Sequence, residues 1–320
     1  MGSLILALDF GGTKLSAALL EQGQTTWRAL RRAFSPPHPN AQHDLQTMLA
    51  LARAMLGKTT PRAIGVSFGG PVEYRTGTVR LSHHVSGWEN MPLKTILENE
   101  FNAPAQVDND ANVAALGEFR FGAGQGVPNM AYLTVSTGVG GGWMLNGQLW
   151  RGAEGMAGEI GHITIDPNGP LCLCGKRGCV ERLASGPYLA ADARNELLHT
   201  SHPDRELGGE VLRLANGDPA QITAKLLAEA AARGDEFGWK YLQRSAWALG
   251  VGIGNVANLI NPQRFVLGGG VTKSGERYWA EIRRVARATA LPEVHFEIVP
   301  AALGDDAPLW GAVALTELNG

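Results

Sequence analysis

Short apolar runs that stop abruptly at glycine clusters alternate along this chain with stretches of helical period, and that alternation restricts the fold more than any other feature. Leu4–Leu8 runs into Asp9-Phe10-Gly11-Gly12-Thr13-Lys14, and a second apolar run, Leu15–Leu20, follows. The pair predicts a β-hairpin around a glycine turn. Gln42–Leu56 has helical period, and Ala63–Ser67 reads as a strand ending in the turn composition Phe68-Gly69-Gly70-Pro71. Leu93–Glu100 reads as a helix, Ala105–Val107 as a strand stopping at Asp108-Asn109-Asp110, and Ala111 to Phe119 as the next helix. Ala131–Val135 then leads into Ser136-Thr137-Gly138-Val139-Gly140-Gly141-Gly142 and a further apolar stretch. The strand–glycine turn–strand unit therefore occurs twice, which suggests duplicated halves that each offer a glycine loop to one ligand.

Pro187–Leu249 is mostly helical by pattern, Arg264–Leu267 returns to strand before Gly268-Gly269-Gly270, and Leu303–Leu318 closes the chain with a helix. Strands alternating with helices predict an α/β fold with parallel pairing. At 320 residues the chain is long enough for two domains. A small α/β domain is expected over 1–115, with the C-terminal helix (about 304–320) packing back on it, and a large one over 116–303. No composition break marks the boundary.

The glycines do chemical work as well as structural work. At strand ends they let backbone N–H groups approach phosphate oxygens with no Cβ in the way. Three such loops, Asp9–Lys14, Ser136–Gly142 and Gly268–Gly270, together point to a nucleotide. Thr13, Ser136 and Thr137 add hydroxyl donors and Lys14 adds a charge, while Asp9 suits a divalent cation such as Mg²⁺, an oxygen-seeking ion. Neither a P-loop string nor a dinucleotide-type G-x-G-x-x-G is present. A net charge of −2 gives no electrostatic reason to expect nucleic acid or anionic lipid as a partner. The uncharged runs Gly122–Trp150 and Ser245–Gln263 are broken by glycines or asparagines, so no membrane span is expected, and the second reads as a buried helix. The first residues lack a basic region and a long apolar core, so they read as a strand, and the protein is expected in the cytoplasm.

The chain's three cysteines, Cys172, Cys174 and Cys179, fall within eight residues and follow His162. One imidazole and three thiolates supply the four ligands that structural zinc prefers. Gly175 and Gly178 let the chain turn back around the ion. An odd cysteine count and a C-x-C pair fit a disulfide poorly. Two carboxylates, Glu159 and Glu181, flank this segment.

The Asp9–Lys14 loop, the Thr134–Gly142 segment, and Gly158-Glu159-Ile160-Gly161-His162 ahead of the cysteines resemble the ROK family (repressors, open reading frames and kinases) over essentially the whole chain. That family belongs to the sugar kinase, Hsp70 and actin superfamily. The resemblance implies a two-domain actin-like ATPase fold with mixed sheets and an interdomain cleft. It also implies ATP-dependent phosphorylation of a hexose 6-hydroxyl, glucose first, with ATP, Mg²⁺ and a structural Zn²⁺, and assembly as a homodimer. N-acetylmannosamine or other hexoses and N-acetylhexosamines, and a non-catalytic sugar sensor, remain alternatives. Asp9 lies nine residues from the first, which leaves no room for the helix-turn-helix of ROK repressors and favours a kinase.

By the same resemblance Asp110 corresponds to the catalytic base and Asn109, Glu159, His162 and Glu181 to sugar ligands. Asp9, Gly11, Gly12, Thr13, Lys14, Thr137, Gly138, Gly268 and Gly269 correspond to the nucleotide loops, and His162, Cys172, Cys174 and Cys179 to the zinc ligands. Asp108 is assigned a turn or helix N-cap role, which this composition suits. One departure stands out. Where ROK glucokinases carry Pro-Asn-Leu before a Gly-Trp pair, this chain has Leu81-Ser82-His83-His84-Val85-Ser86-Gly87-Trp88. His83 or His84 is a candidate replacement for the missing asparagine, or one of them is a solvated loop residue.

Overall fold

The computed structural model describes residues 3–82, 85–199 and 208–318, so His83 and His84 lie outside the described residues. In chain order the strands are β1 (Leu4–Phe10), β2 (Lys14–Glu21), β3 (Ala29–Phe34), β4 (Ala63–Phe68), β5 (Val72–Glu73), β6 (Thr78–Val79), β7 (Ala105–Asn109), β8 (Met130–Val135), β9 (Val139–Leu145), β10 (Gln148–Trp150), β11 (Arg264–Gly268) and β12 (Glu297–Pro300). The helices are α1 (Ala41–Leu56), α2 (Leu93–Phe101), α3 (Asp110–Phe121), α4 (Val180–Ala184), α5 (Gly186–His199), α6 (Gly209–Leu214), α7 (Ala224–Ala232), α8 (Glu236–Ile260), α9 (Glu276–Thr289) and α10 (Ala307–Leu315). Two five-stranded sheets result, ordered β3-β2-β1-β4-β7 and β10-β9-β8-β11-β12. With the short β5–β6 pair set aside, each runs third, second, first, fourth, fifth within its own half. The repeated hairpin of the sequence is therefore part of a repeated topology.

The chain divides into two compact units: residues 1–132, 142–158 and 301–320, and residues 133–141 and 159–300. In the first, β1 is the central strand, antiparallel to β2 and parallel to β4, which is parallel to β7. All seven β1 residues are buried, as a strand covered on both faces requires. Phe10, Phe68 and Trp88 pack together, with Trp88 edge-on at 4.8 Å from Phe68 and 5.5 Å from Phe10. That cluster anchors the carboxyl ends of β1 and β4. α10 packs on α3 and β4 through contacts too close for side chains: a Cβ on Gly311 would sit 1.7 Å from the Val113 carbonyl, and one on Gly65 1.8 Å from that of Ala312. Glu118 of α3, fully buried, accepts backbone N–H bonds from Ala123, Ala302 and Leu303 at 2.8, 3.1 and 2.8 Å.

In the second unit α8 is the long central helix, packed on α4, α7 and α9. It covers most of the expected Ser245–Gln263 helix and ends at Asn261 in a left-handed conformation. Gly250 and Gly254, four apart, bring it onto Val285 and Thr289 of α9. Among the described residues no helix is long and apolar enough to cross a membrane. β3, β5, β6, β10, β12, α4 and α9 lie outside the elements expected from the sequence.

Candidate active site

In the first unit the parallel register Asp9–Ser67–Asp108 aligns the carboxyl ends of β1, β4 and β7. Ligands of open α/β sheets bind beyond such ends. Asp9 is 8% exposed and its Oδ1 accepts the Ser67 hydroxyl at 2.9 Å. Burial pushes the Asp9 carboxyl up to about 7; the Asp110 charge adds to the rise, and the Ser67 bond, Lys14 and Arg32 oppose it. A buried carboxyl that gives up its proton reluctantly is one that a cation would ionise. After Phe10 the chain turns tightly, the Gly11 N–H donating to the Lys14 carbonyl at 3.2 Å. A Cβ on Gly11 would lie 2.8 Å from that oxygen. Gly12 and Thr13 complete this turn, with Thr13 exposed. Lys14 opens β2, and its Nζ lies 4.0 Å from Asp305.

Asn109 and Asp110 form the β7–α3 junction. Asn109 is the N-cap of α3: its side-chain oxygen accepts from the N–H groups of Ala111 and Asn112, and its amide donates to the Gly70 carbonyl at 3.2 Å and to Asp110 Oδ1 at 3.0 Å. Asp110 Oδ1 also accepts the Ala111 N–H at 2.8 Å. The glycine turn after β4 lies beside it, a Cβ on Gly69 standing 3.8 Å from Asp110 Oδ2 and 3.2 Å from the Phe10 carbonyl oxygen. The capping role expected of Asp108 belongs to Asn109 instead. Asp108, with its side chain only 3% exposed, faces Arg151 at 2.6 Å and accepts from the Asn109 N–H and the Asn112 amide. A buried carboxylate needs a cation, and Arg151, 43 residues on, takes Asp108 away from the cap.

The second unit gathers the other expected residues. The turn after β8 closes with the Ser136 N–H on the Gly138 carbonyl at 2.9 Å. Val139 donates its N–H to Glu181 Oε2 at 2.9 Å, and a Cβ on Gly138 would lie 2.7 Å from that same oxygen. A side chain at Gly138 would displace that carboxylate. Gly268 ends β11, and Gly269, at φ +93°, passes where a Cβ would meet the Val135 carbonyl at 2.3 Å. Ser136 and Thr137 on one side and Gly270 and Val271 on the other line one cavity of about 850 Å³. Two of the three glycine loops thereby meet at a single space. Lys273, Ser274 and Gly275 extend the second side, and the helical walls, Gly186 to Arg194 of α5 and Thr223 to Ala232 around α7, carried no signal beyond helical period and alanine content.

Glu159 directly precedes the 3-10 turn Ile160–His162, and Glu181 sits in the first turn of α4, just beyond Cys179. One ligand atom each from His162, Cys172, Cys174 and Cys179 lies within 4.8 Å of every other, and the Cys174 and Cys179 sulfurs are 3.6 Å apart. Four ligands around zinc at about 2.3 Å stand about 3.8 Å apart, so the cluster has the right size. His162 Nδ1 is buried without a hydrogen-bond partner, and all three cysteines are free. Burial pushes the Cys179 thiol up to about 12 and raises Cys172, while the Lys176 backbone N–H lowers Cys174. Three crowded thiols, two of them held back from ionising, and an orphaned ring nitrogen are what a tetrahedral cation would satisfy. Gly175 and Gly178 both have positive φ, and a Cβ on Gly178 would overlap the Asp166 carbonyl at 1.7 Å.

A glucokinase of Halalkalibacterium halodurans is 41% identical over 96% of this chain and 92% of its own. Among solved structures, the ROK family glucokinase from Streptomyces griseus in complex with glucose and AMPPNP matches at a TM-score of 0.85 with 33% identity, covering 99% of this chain and 100% of that one. The ROK hexokinase from Thermus thermophilus matches at 0.81 with 30% identity, covering 99% and 98%. The architecture is therefore that of the ROK sugar kinases, the two-domain actin-like ATPase fold. The ROK family model matches residues 5–318, and the chain belongs to the ROK family.

Proposed function

We propose that the protein transfers the γ-phosphoryl group of ATP to the 6-hydroxyl of a hexose, with glucose as its substrate. The observation that carries this reading is the pair of strand-end carboxylates, Asp9 and Asp110, in a chain 41% identical over 96% of its length to a glucokinase. Phosphoryl transfer asks a protein for positioning and charge more than for covalent chemistry. Asp110 acts as the base: its Oδ1 is held by the Asn109 amide and the Ala111 N–H, so Oδ2 takes the proton as the sugar oxygen attacks phosphorus. Asp9 holds Mg²⁺, directly or through water; the ion, when bound, offsets phosphate charge. The Gly11–Thr13 turn and the Thr137–Gly138 and Gly268–Gly269 loops offer backbone N–H groups to the phosphates. Lys14 joins them, leaving an exposed contact with Asp305 that costs little to break.

On the second unit Glu159, His162 and Glu181 read the sugar hydroxyls. Zinc is the metal that the His162, Cys172, Cys174 and Cys179 set fits, and it fixes the ring orientation of His162. A homodimer in the cytoplasm is part of the same reading, and light scattering checks the assembly. The decisive experiment pairs a coupled ADP-release assay over a sugar panel with Asp110→Asn. Glucose-dependent release is expected, with kcat down about 10²–10⁴-fold in the variant and glucose affinity within about tenfold. Unchanged turnover in Asp110→Asn removes the base from Asp110. Release with N-acetylmannosamine and none with glucose moves the substrate.

A further inference from the structure

The first unit contains a second cavity that the proposed reaction does not use. It encloses about 510 Å³ behind β7 and β10, within the range of small-molecule sites. Arg75, Lys94 and Arg151 line it, and Asp108 is the one carboxylate among its lining residues, an excess of two positive charges. The Arg75 and Arg151 guanidinium carbons lie 5.1 and 4.5 Å from the centre of the same ring, that of Tyr74. Lys94 reaches Glu98 only at 4.0 Å, and Glu73, which feels the Arg75 charge, is already bound to Arg80 at 2.8 Å. Arg151 meets Asp108 through Nε at 2.6 Å, so its two terminal nitrogens remain for another acceptor. Leu149 and Leu315 supply apolar wall, which leaves room for a carbon skeleton beside an anion.

We propose that this cavity is an effector site for a small phosphomonoester, held by Arg75, Lys94 and Arg151. Three facts select that class. A phosphomonoester carries close to two negative charges at neutral pH, which matches the excess. Guanidinium forks bind phosphate oxygens bidentately. The volume exceeds what inorganic phosphate fills. The site communicates with the strand end through one residue: Asp108 Oδ2 holds Arg151, while Oδ1 accepts the Asn109 N–H at 2.8 Å and the Asn112 amide at 3.3 Å. A phosphate sharing Arg151 weakens its hold on Asp108, and Asp108 braces the residues on either side of Asp110. Bound effector therefore lowers kcat. The kinetic half rests on the proposed kinase reading; the binding half does not.

Ribose 5-phosphate is the probe, titrated by calorimetry into protein saturated with glucose and Mg·AMPPNP, with inorganic phosphate as the body-free control. Ribose 5-phosphate should bind at least about tenfold more tightly than phosphate. Arg75→Ala and Lys94→Ala should each weaken it about tenfold while changing basal turnover less than about twofold, because neither residue serves the reaction. Binding that both variants leave intact, or no binding at all, overturns the site. Equal affinity for inorganic phosphate overturns the phosphomonoester. Binding with an undiminished kcat overturns the coupling through Asp108, whereas a parent that turns over no sugar at all fails the kinase reading instead.

Discussion

Asp9 is costly to the fold in proportion to its use, and Asp9→Asn measures that cost. With its carboxyl pushed from 3.8 up to about 7 by burial, the folded chain binds a proton more tightly than the unfolded chain. The sign follows from that: stability is greatest where Asp9 stays protonated in both states and falls as pH climbs from about 4 through 7. Each pH unit that separates the folded from the unfolded value is worth about 1.36 kcal/mol. By pH 8 the ligand-free fold has therefore lost about 4 kcal/mol, and by pH 5 about 2 kcal/mol. Asparagine keeps the shape and can still accept the Ser67 hydroxyl, but it has no charge to bury. In magnesium-free buffer the variant should therefore melt higher than the parent, by roughly 10 °C at pH 8 and about half that at pH 5. Mg·ATP should reverse the order, raising the parent's transition and leaving the variant's in place, with turnover lost. Calorimetric scans at the two pH values read all of this. A variant no more stable than the parent at pH 8, or an advantage that does not shrink at pH 5, refutes the reasoning.

Three further outcomes are expected. Cys179→Ser should lower bound zinc below one per chain by atomic absorption and weaken glucose binding together with it, since His162 then loses the ion that fixes its ring; full sugar affinity in a zinc-free variant refutes the link. Glu118→Ala removes a buried carboxylate that accepts three part-buried N–H groups and should cost about 2–4 kcal/mol in urea unfolding, with Glu118→Gln losing less. A loss below about 1 kcal/mol would show that the segment at Ala302 relaxes onto water. Gly178→Ala meets the Asp166 carbonyl and a positive φ at once, so it should abolish zinc retention; zinc retained at one per chain contradicts the close approach.

Strands that end in glycine were legible because two signals coincide there, an apolar run and a residue that stops it. β1, β4, β8 and β11 all carry both. β3 hides because Arg31 and Arg32 sit in its middle, which an edge strand tolerates and a sequence pattern does not flag. α9 has an apolar stripe through Tyr278, Ile282 and Val285, but Arg277, Arg283, Arg284 and Arg287 obscure it. At the site, the cysteines announced themselves by local spacing. Asp108 did not, because Asp-Asn-Asp offers three possible caps and the choice is made by an arginine 43 residues away. The α5 and α7 walls of the large cavity are rich in alanine, a residue whose main contribution there is to be small.

The bond from Val139 to Glu181 has a consequence for how the two substrates are felt. The carboxylate proposed to greet the sugar is the same one that holds the turn proposed to greet the nucleotide. Any change in how tightly one guest draws on those oxygens alters the reception of the other, and by an equal factor in each direction. Measuring glucose affinity with and without nucleotide would therefore also report, unmeasured, how glucose changes the affinity for nucleotide.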